Sequence, residues 1–282
     1  MNWIPYLFLA VALSFLWIPP LRKVWLLPFL FSLASGLQTG ALGALSLIPI
    51  GLLFLACYYS VHPKKILLPK LLCDLFVFLI GFLLIFHLLP GFKNAKAASG
   101  LLLAADSIPY TFYLNFDKGV LGFILLAIMI SLCKKRSEWL LSFKAACYAM
   151  LMIIPTLYFF SWFLGYVRWD PKWPAITGSW VFANFFLVAL SEEAFFRGFL
   201  LQRISEYCGR FKMGNLIALL ISSLFFGLSH FSGGLSFVLL ATVAGIFYGL
   251  AYIWSGRVEA AIFTHFSLNA VHFFLFSYPA LS

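Results

Sequence analysis

The chain has 282 residues, of which 63% are hydrophobic, 20% aromatic and only 10% charged. A soluble domain is about 45–50% apolar and about 25% charged, so this composition excludes a soluble protein. It predicts an all-α, polytopic transmembrane bundle embedded in a lipid bilayer. The net charge of +10 does not indicate nucleic-acid binding, because Lys and Arg lie in short loops between apolar runs, where they report membrane topology.

Apolar runs of near-spanning length follow one another along the whole chain. A transmembrane helix needs about 17–25 residues, and the candidates are 3–21, 24–38, 41–60, 71–90, 119–133, 145–167, 176–202, 215–231, 235–254 and 259–278. We therefore expect about ten helices, the second and fifth of them short. The first run has neither a basic start nor a small-residue cleavage site, so we expect a retained helix and no signal peptide.

The loops between these runs differ in positive charge. With the N-terminus outside, thirteen Lys and Arg residues lie in inside loops, Lys64 and Lys65 among them, and five lie in outside loops. This bias predicts an N-out, C-out topology. The segment 93–118 is then the longest outside loop, and 168–174 is a turn whose Trp residues anchor it at the membrane interface.

Polar chemistry is concentrated in the second half of the chain. Residues 190–272 carry nearly all the ionisable groups inside apolar runs, and such groups are functional by default. We therefore divide the chain into a scaffold, 1–170, and an active core, 171–282. The five cysteines show no C-x-x-C spacing, which predicts neither a disulfide framework nor a zinc knuckle.

Two adjacent acids and one Arg interrupt the run 176–202. Glu193 and Arg197 are separated by four residues, so on a helix they face each other and neutralise their charges. Glu192 points about 100° away on a helix, and we expect it to lack such a partner. A lone carboxylate in a medium of low dielectric has a raised proton affinity, which suits a general base.

Two later runs add imidazole and amide groups. His230 ends the run 215–231, four residues after Phe226, and His265 lies one helical turn before Asn269. An amide and an imidazole on one face can donate to a developing oxyanion. The same pair could equally form a hydrogen bond between membrane helices, and a lone His at a helix end could be interfacial.

In this order, the motifs resemble those of the CAAX protease and bacteriocin-processing family of intramembrane endopeptidases, also called the Abi or type II CAAX prenyl endopeptidase family. The pattern is Glu-Glu-x-x-x-Arg, Phe-x-x-x-His and His-x-x-x-Asn, over about residues 176–275. The resemblance implies hydrolysis of a peptide bond within the membrane, in a peptide or membrane-protein substrate. Glu192 and His230 would activate water, while His265 and Asn269 would stabilise the oxyanion. The supporting residues would be Glu193, Arg197 and Phe226.

Other interpretations stay open at this point. Glu192, His230 and His265 could supply three ligands to a catalytic zinc ion, but the chain has no His-Glu-x-x-His motif, and we favour catalysis without a cofactor. A non-proteolytic immunity or interaction protein and a transporter with a carboxylate proton relay are further alternatives. Short loops and about ten helices suggest the inner membrane of a bacterium.

Overall fold

The computed structural model describes residues 2–62 and 67–282. Within them the chain forms ten helical segments of more than ten residues, so the predicted all-α bundle is confirmed. They are α1 (Ile4–Phe15), α2 (Leu26–Thr39), α3 (Ala44–Val61), α4 (Leu67–Ile85), α5 (Phe116–Ile128), α6 (Arg136–Phe163), α7 (Thr177–Tyr207), α8 (Gly214–Leu228), α9 (Phe231–Ser255) and α10 (Val258–Leu275). Lys64 and Lys65 of the predicted inside loop lie outside the described residues.

Five of these helices, α3, α6, α7, α9 and α10, are long and apolar enough to cross a membrane. Three shorter apolar helices, α1, α2 and α8, accompany them. Together with the composition, these helices make the chain an integral membrane protein. The N-out, C-out orientation and the division at residue 170 stay predictions.

Two segments differ from their predicted form. The segment 93–118, predicted to be an outside loop, contains an antiparallel hairpin of β1 (Ala95–Leu101) and β2 (Tyr110–Leu114). Helix α6 begins nine residues before the predicted start at 145, because Glu138 accepts hydrogen bonds from the backbone amides of Lys134 and Lys135. This cap satisfies amides at the start of the helix, so a stretch that looks like a charged loop becomes the first turns of α6.

Helix α5 lies inside the protein, although it is only 13 residues long. Ten of its residues are buried, including Gly119 and Gly122. A Cβ atom on Gly122 would lie 2.6 Å from Cα of Ser191 in α7, and one on Gly119 would lie 2.7 Å from Leu9 of α1. These glycines therefore allow α5 to approach α7 and α1 closely, and they bring the first half of the chain against the acidic segment.

Helices α8 and α9 also pack closely. The sequence predicts a small-residue ridge on α9 at Ala241, Gly245 and Gly249. A Cβ atom on Gly245 would lie 3.2 Å from Cα of Ser223 in α8. The ridge therefore contacts α8, as expected for close helix packing. It holds α8, which ends just before His230, against α9.

Candidate active site

The predicted pair of Glu193 and Arg197 is present and completely buried. A terminal nitrogen of Arg197 lies 2.9 Å from Oε1 of Glu193, and both side chains have 0% exposure. The second terminal nitrogen donates to the carbonyl of Gly245, also at 2.9 Å. The guanidinium carbon lies 4.5 Å from the centre of the Phe226 ring, within the range of a cation–π contact. Arg197 thus connects α7, α8 and α9.

His265 contacts the same carboxylate from α10. Its Nδ1 lies 2.7 Å from Oε1 of Glu193, and its ring stacks on Tyr248 with centroids 4.6 Å apart. Because a carboxylate accepts, Nδ1 carries the hydrogen. Its other ring nitrogen, Nε2, is therefore available for other contacts. Sequence spacing places His265 beside Asn269, but it does not predict this bond to Glu193.

The expectation that Glu192 lacks a partner is wrong. Nζ of Lys118 donates to Oε1 of Glu192 at 2.8 Å, with 15% exposure of the Lys side chain and 3% of the Glu side chain. Among the described residues, Oε2 of Glu192 has no hydrogen-bond partner, and the same holds for Oε2 of Glu193. Each of the two adjacent acids therefore has a cation of its own. Glu193 pairs with Arg197 of the same helix, and Glu192 pairs with Lys118 of α5.

Lys118 reaches Glu192 because of how α5 packs. Lys118 and Gly122 are four residues apart and thus share a face of α5, and Gly122 is the residue that touches Ser191, directly before Glu192. From sequence, Lys118 counts as a loop charge on the outside of the membrane. The signal that could have found it is a Lys at the start of a short apolar run that contains two closely spaced glycines.

His230 lies in the turn after α8, as its position at the end of an apolar run predicts. Its Nδ1 is 2.8 Å from the carbonyl oxygen of Phe226. A carbonyl can only accept, so Nδ1 is the donor, and in the neutral ring Nε2 is an acceptor. This bond explains the Phe-x-x-x-His spacing in physical terms, because the backbone of Phe226 fixes the tautomer and orientation of the imidazole.

Asn269 faces α7. Its amide nitrogen donates to the side-chain oxygen of Asn184 at 3.3 Å. Asn184 begins a stretch of wider, π-helical winding, Asn184–Ala189, and a second such stretch, Ala194–Leu201, follows the two glutamates. Such departures from α-helical winding inside a helix are frequent at functional sites. Asn184 belongs to none of the sequence motifs, and sequence analysis did not select it.

A cavity of about 680 Å³ joins most of these groups, and this volume is typical of ligand sites. His230, His265, Asn269 and Asn184 line it with aromatic residues such as Tyr248. Within the described chain, neither glutamate is part of its wall. Glu192 lies within electrostatic range of His230 and His265.

The zinc alternative requires Glu192, His230 and His265 to face one ion. Among residues 2–62 and 67–282, no group of three or more His, Cys, Asp or Glu side chains is arranged to hold a metal ion. Lys118 already occupies Oε1 of Glu192, and an ammonium repels a dication nearby. In this arrangement the three residues are not grouped as metal ligands, and catalysis without a cofactor stays a prediction.

Comparison with protein families identifies one segment. Residues 173–271 match the family described as Type II CAAX prenyl endopeptidase Rce1-like, which confirms the resemblance for this third of the chain. The family is one of proteases. No curated protein and no solved structure matches the chain. The matched segment includes all the sequence-predicted site residues, and Lys118 lies outside it.

Proposed function

We propose that this chain, whose residues 173–271 match the type II CAAX prenyl endopeptidase family, is an intramembrane endopeptidase. It hydrolyses a peptide bond of a membrane-associated substrate, such as a protein with a prenylated or signal-bearing C-terminus. One observation carries the proposal. The turn after α8 and helix α10 bring His230, His265 and Asn269 to the lining of one cavity, and Glu192 of α7 lies within electrostatic range of both imidazoles.

Glu192 is the proposed general base, with His230 as its helper. Water bound between the carboxylate and Nε2 of His230 gives a proton to Glu192 while its oxygen attacks the carbonyl carbon of the scissile bond. The tetrahedral intermediate then collapses, the carbon–nitrogen bond breaks, and Glu192 returns the proton to the leaving nitrogen. A positioned acid or base of this kind contributes typically 10²–10⁴-fold to a rate.

His265 and Asn269 are the proposed oxyanion donors. They line the same cavity and lie one helical turn apart on α10, so both can reach a single oxygen. The bond from Nδ1 of His265 to Glu193 orients the ring, and in the imidazolium form Nε2 is also a donor. Asn184 holds the amide of Asn269 and thus supports its orientation.

Glu193 and Arg197 organise this site without lining the cavity, whereas Phe226 is part of its lining. The buried ion pair fixes α7 against α9 through Gly245, and the carbonyl of Phe226 orients His230. No cofactor takes part in this proposal, and the pairing of Lys118 with Glu192 supports it over the zinc alternative. A non-proteolytic interaction protein on the same scaffold is the second alternative, and the inner membrane of a bacterium is the proposed location.

The test is a comparison of membrane-protein termini in cells that produce the wild type, Glu192→Ala or His230→Ala. Glu206→Ala, at a partly exposed acid in the last turn of α7, is the matched control. We expect a set of protein termini that is present in cells with the wild type or the control. The same termini should be absent in cells with either site variant, at equal protein level. Normal cleavage by either site variant would contradict the proposal, and a wild-type phenotype without any altered terminus would favour the non-proteolytic alternative.

A further inference from the structure

We infer that Lys118, outside the segment that matches the family, is a positioning residue for the proposed base. Its ammonium holds Glu192 apart from the Glu193–Arg197 pair and leaves Oε2 as the oxygen that meets water. This inference rests on the proposed function, because it assigns Lys118 a role through Glu192.

The start of α5 is anchored so that Lys118 is free for this contact. Oδ2 of Asp117 lies 2.6 Å from Nδ1 of His87 and accepts from Asn94 at 2.9 Å. Oδ1 of Asp117 accepts from the backbone amide of Lys118 at 2.8 Å, and Asn94 also accepts from the amide of Phe116. The neighbouring acid is therefore fully engaged by other groups. Within the described chain, Glu192 is the carboxylate in ion-pair contact with Lys118.

Positive or ionisable groups on several elements lie within electrostatic range of Glu192, and Lys118 is the one in direct contact. Lys118 of α5, His230 after α8 and His265 of α10 all interact with its charge, and Arg197 of its own helix also does so. Without Lys118, the carboxylate would be attracted to Arg197 and His265, which already bind Glu193. The two acids would then share one set of donors. Lys118 on α5 prevents this, because its ammonium attracts the Glu192 carboxylate away from Arg197 and His265.

Charge-assisted hydrogen bonds are shorter and stronger than neutral ones and give the acceptor a defined geometry. With Oε1 bound to Lys118, the remaining oxygen Oε2 has a fixed direction. A misplacement of about 1 Å in such a group can lower a rate about 10²-fold. Lys118 is thus expected to affect the rate of the chemical step rather than the binding of substrate.

The experiment uses the purified full chain in detergent and two quenched fluorescent CAAX peptides, one farnesylated and one unmodified. The variants are Lys118→Met, which removes the charge, and Lys118→Arg, which retains it. Lys96→Met in the hairpin is the matched control, because the Lys96 ammonium lies over the ring of Tyr113, away from the site. We expect Lys118→Met to lower kcat by about 10²-fold with KM little changed. Lys118→Arg restores most of kcat, and the control matches the wild type.

A second measurement separates positioning from simple stabilisation. Lys118→Met leaves the Glu192 carboxylate without its cation, so its Tm falls, and adding Glu192→Gln regains most of that loss. If Glu192→Gln restores the Tm of Lys118→Met but Lys118→Met alone has an unchanged kcat, the pair is structural only and the inference is overturned. If Glu192→Gln does not restore the Tm, the inference is overturned as well.

The same set of proteins distinguishes this inference from the proposed function. Glu192→Gln that cleaves like the wild type would contradict the proposed function. If Glu192→Gln is inactive but Lys118→Met has the kcat of the wild type, only the role of Lys118 is overturned. A wild type that leaves both peptides intact would count against the proposed function and, with it, against this inference.

Discussion

The surroundings of Glu193 and of Glu192 differ, although the two residues are adjacent on α7. Glu193 lies in a closed cluster with Arg197 and His265, where the side chains of the ion pair have 0% exposure. Glu192 is paired instead with Lys118 of α5, whose side chain is 15% exposed. The Glu193 carboxylate joins α7 to α10 through its bonds to Arg197 and His265, whereas in the described chain the Glu192 carboxylate is bonded to Lys118 alone.

The difference also concerns which part of the chain supplies the partners. Every member of the Glu193 cluster comes from the segment that matches the protease family, residues 173–271. The partner of Glu192 comes from α5, in the first half of the chain. The first half therefore does more than surround the active segment, since it provides a charge that contacts the proposed base.

The largest effect on stability is expected in the closed cluster. Arg197→Met leaves the Glu193 carboxylate buried without its cation, which costs about 3–5 kcal/mol of unfolding free energy. Arg210→Met is the control, because Arg210 is exposed and such substitutions change stability by about 0.5 kcal/mol or less. Denaturant unfolding in detergent measures both. Equal stability of the two variants would show that the cluster does not hold the fold together.

A smaller effect is expected at the contact between the two halves. Gly122→Ala puts a Cβ atom 2.6 Å from Cα of Ser191, and overpacking of this kind costs about 1–3 kcal/mol. Because α5 must then move away from α7, we also expect lower cleavage. Gly51→Ala in α3, where no atom lies within 4 Å of the added Cβ, should leave Tm and cleavage unchanged. If both variants behave alike, the close contact of α5 with α7 does not position Lys118.

The positions of the helices could be predicted from hydrophobic run length, because each span must satisfy its own backbone within the bilayer. The start of α6 could not, because the bonds of Glu138 to the amides of Lys134 and Lys135 turn a charged stretch into helix. The hairpin β1–β2 could not be predicted either. Its strand Ala95–Leu101 lacks a clear alternation of apolar and polar residues, and such alternation is the main signal for a strand.

In the site, the contact of Glu193 with Arg197 was predictable because both lie on one helix at a spacing of four residues. The bond between His265 and Glu193 and the bond between Lys118 and Glu192 join residues far apart in sequence. Their partners depend on how α10 and α5 pack against α7, and local spacing carries no information about that packing. The roles of Glu192, His230, His265 and Asn269 stay predictions.

The most direct test compares Glu192→Gln with Glu193→Gln in purified full chain, with Tm and cleavage of the CAAX peptides measured on the same samples. Glu192→Gln is expected to lower the cleavage rate by about 10²–10⁴-fold with a Tm close to that of the wild type. Glu193→Gln is expected to lower Tm strongly, and its loss of cleavage per folded molecule is expected to be smaller than that of Glu192→Gln, because, of the contacts to proposed catalytic residues, it changes only the bond that orients His265. Equal losses of Tm and cleavage in both variants would contradict the assignment of separate roles to the two glutamates.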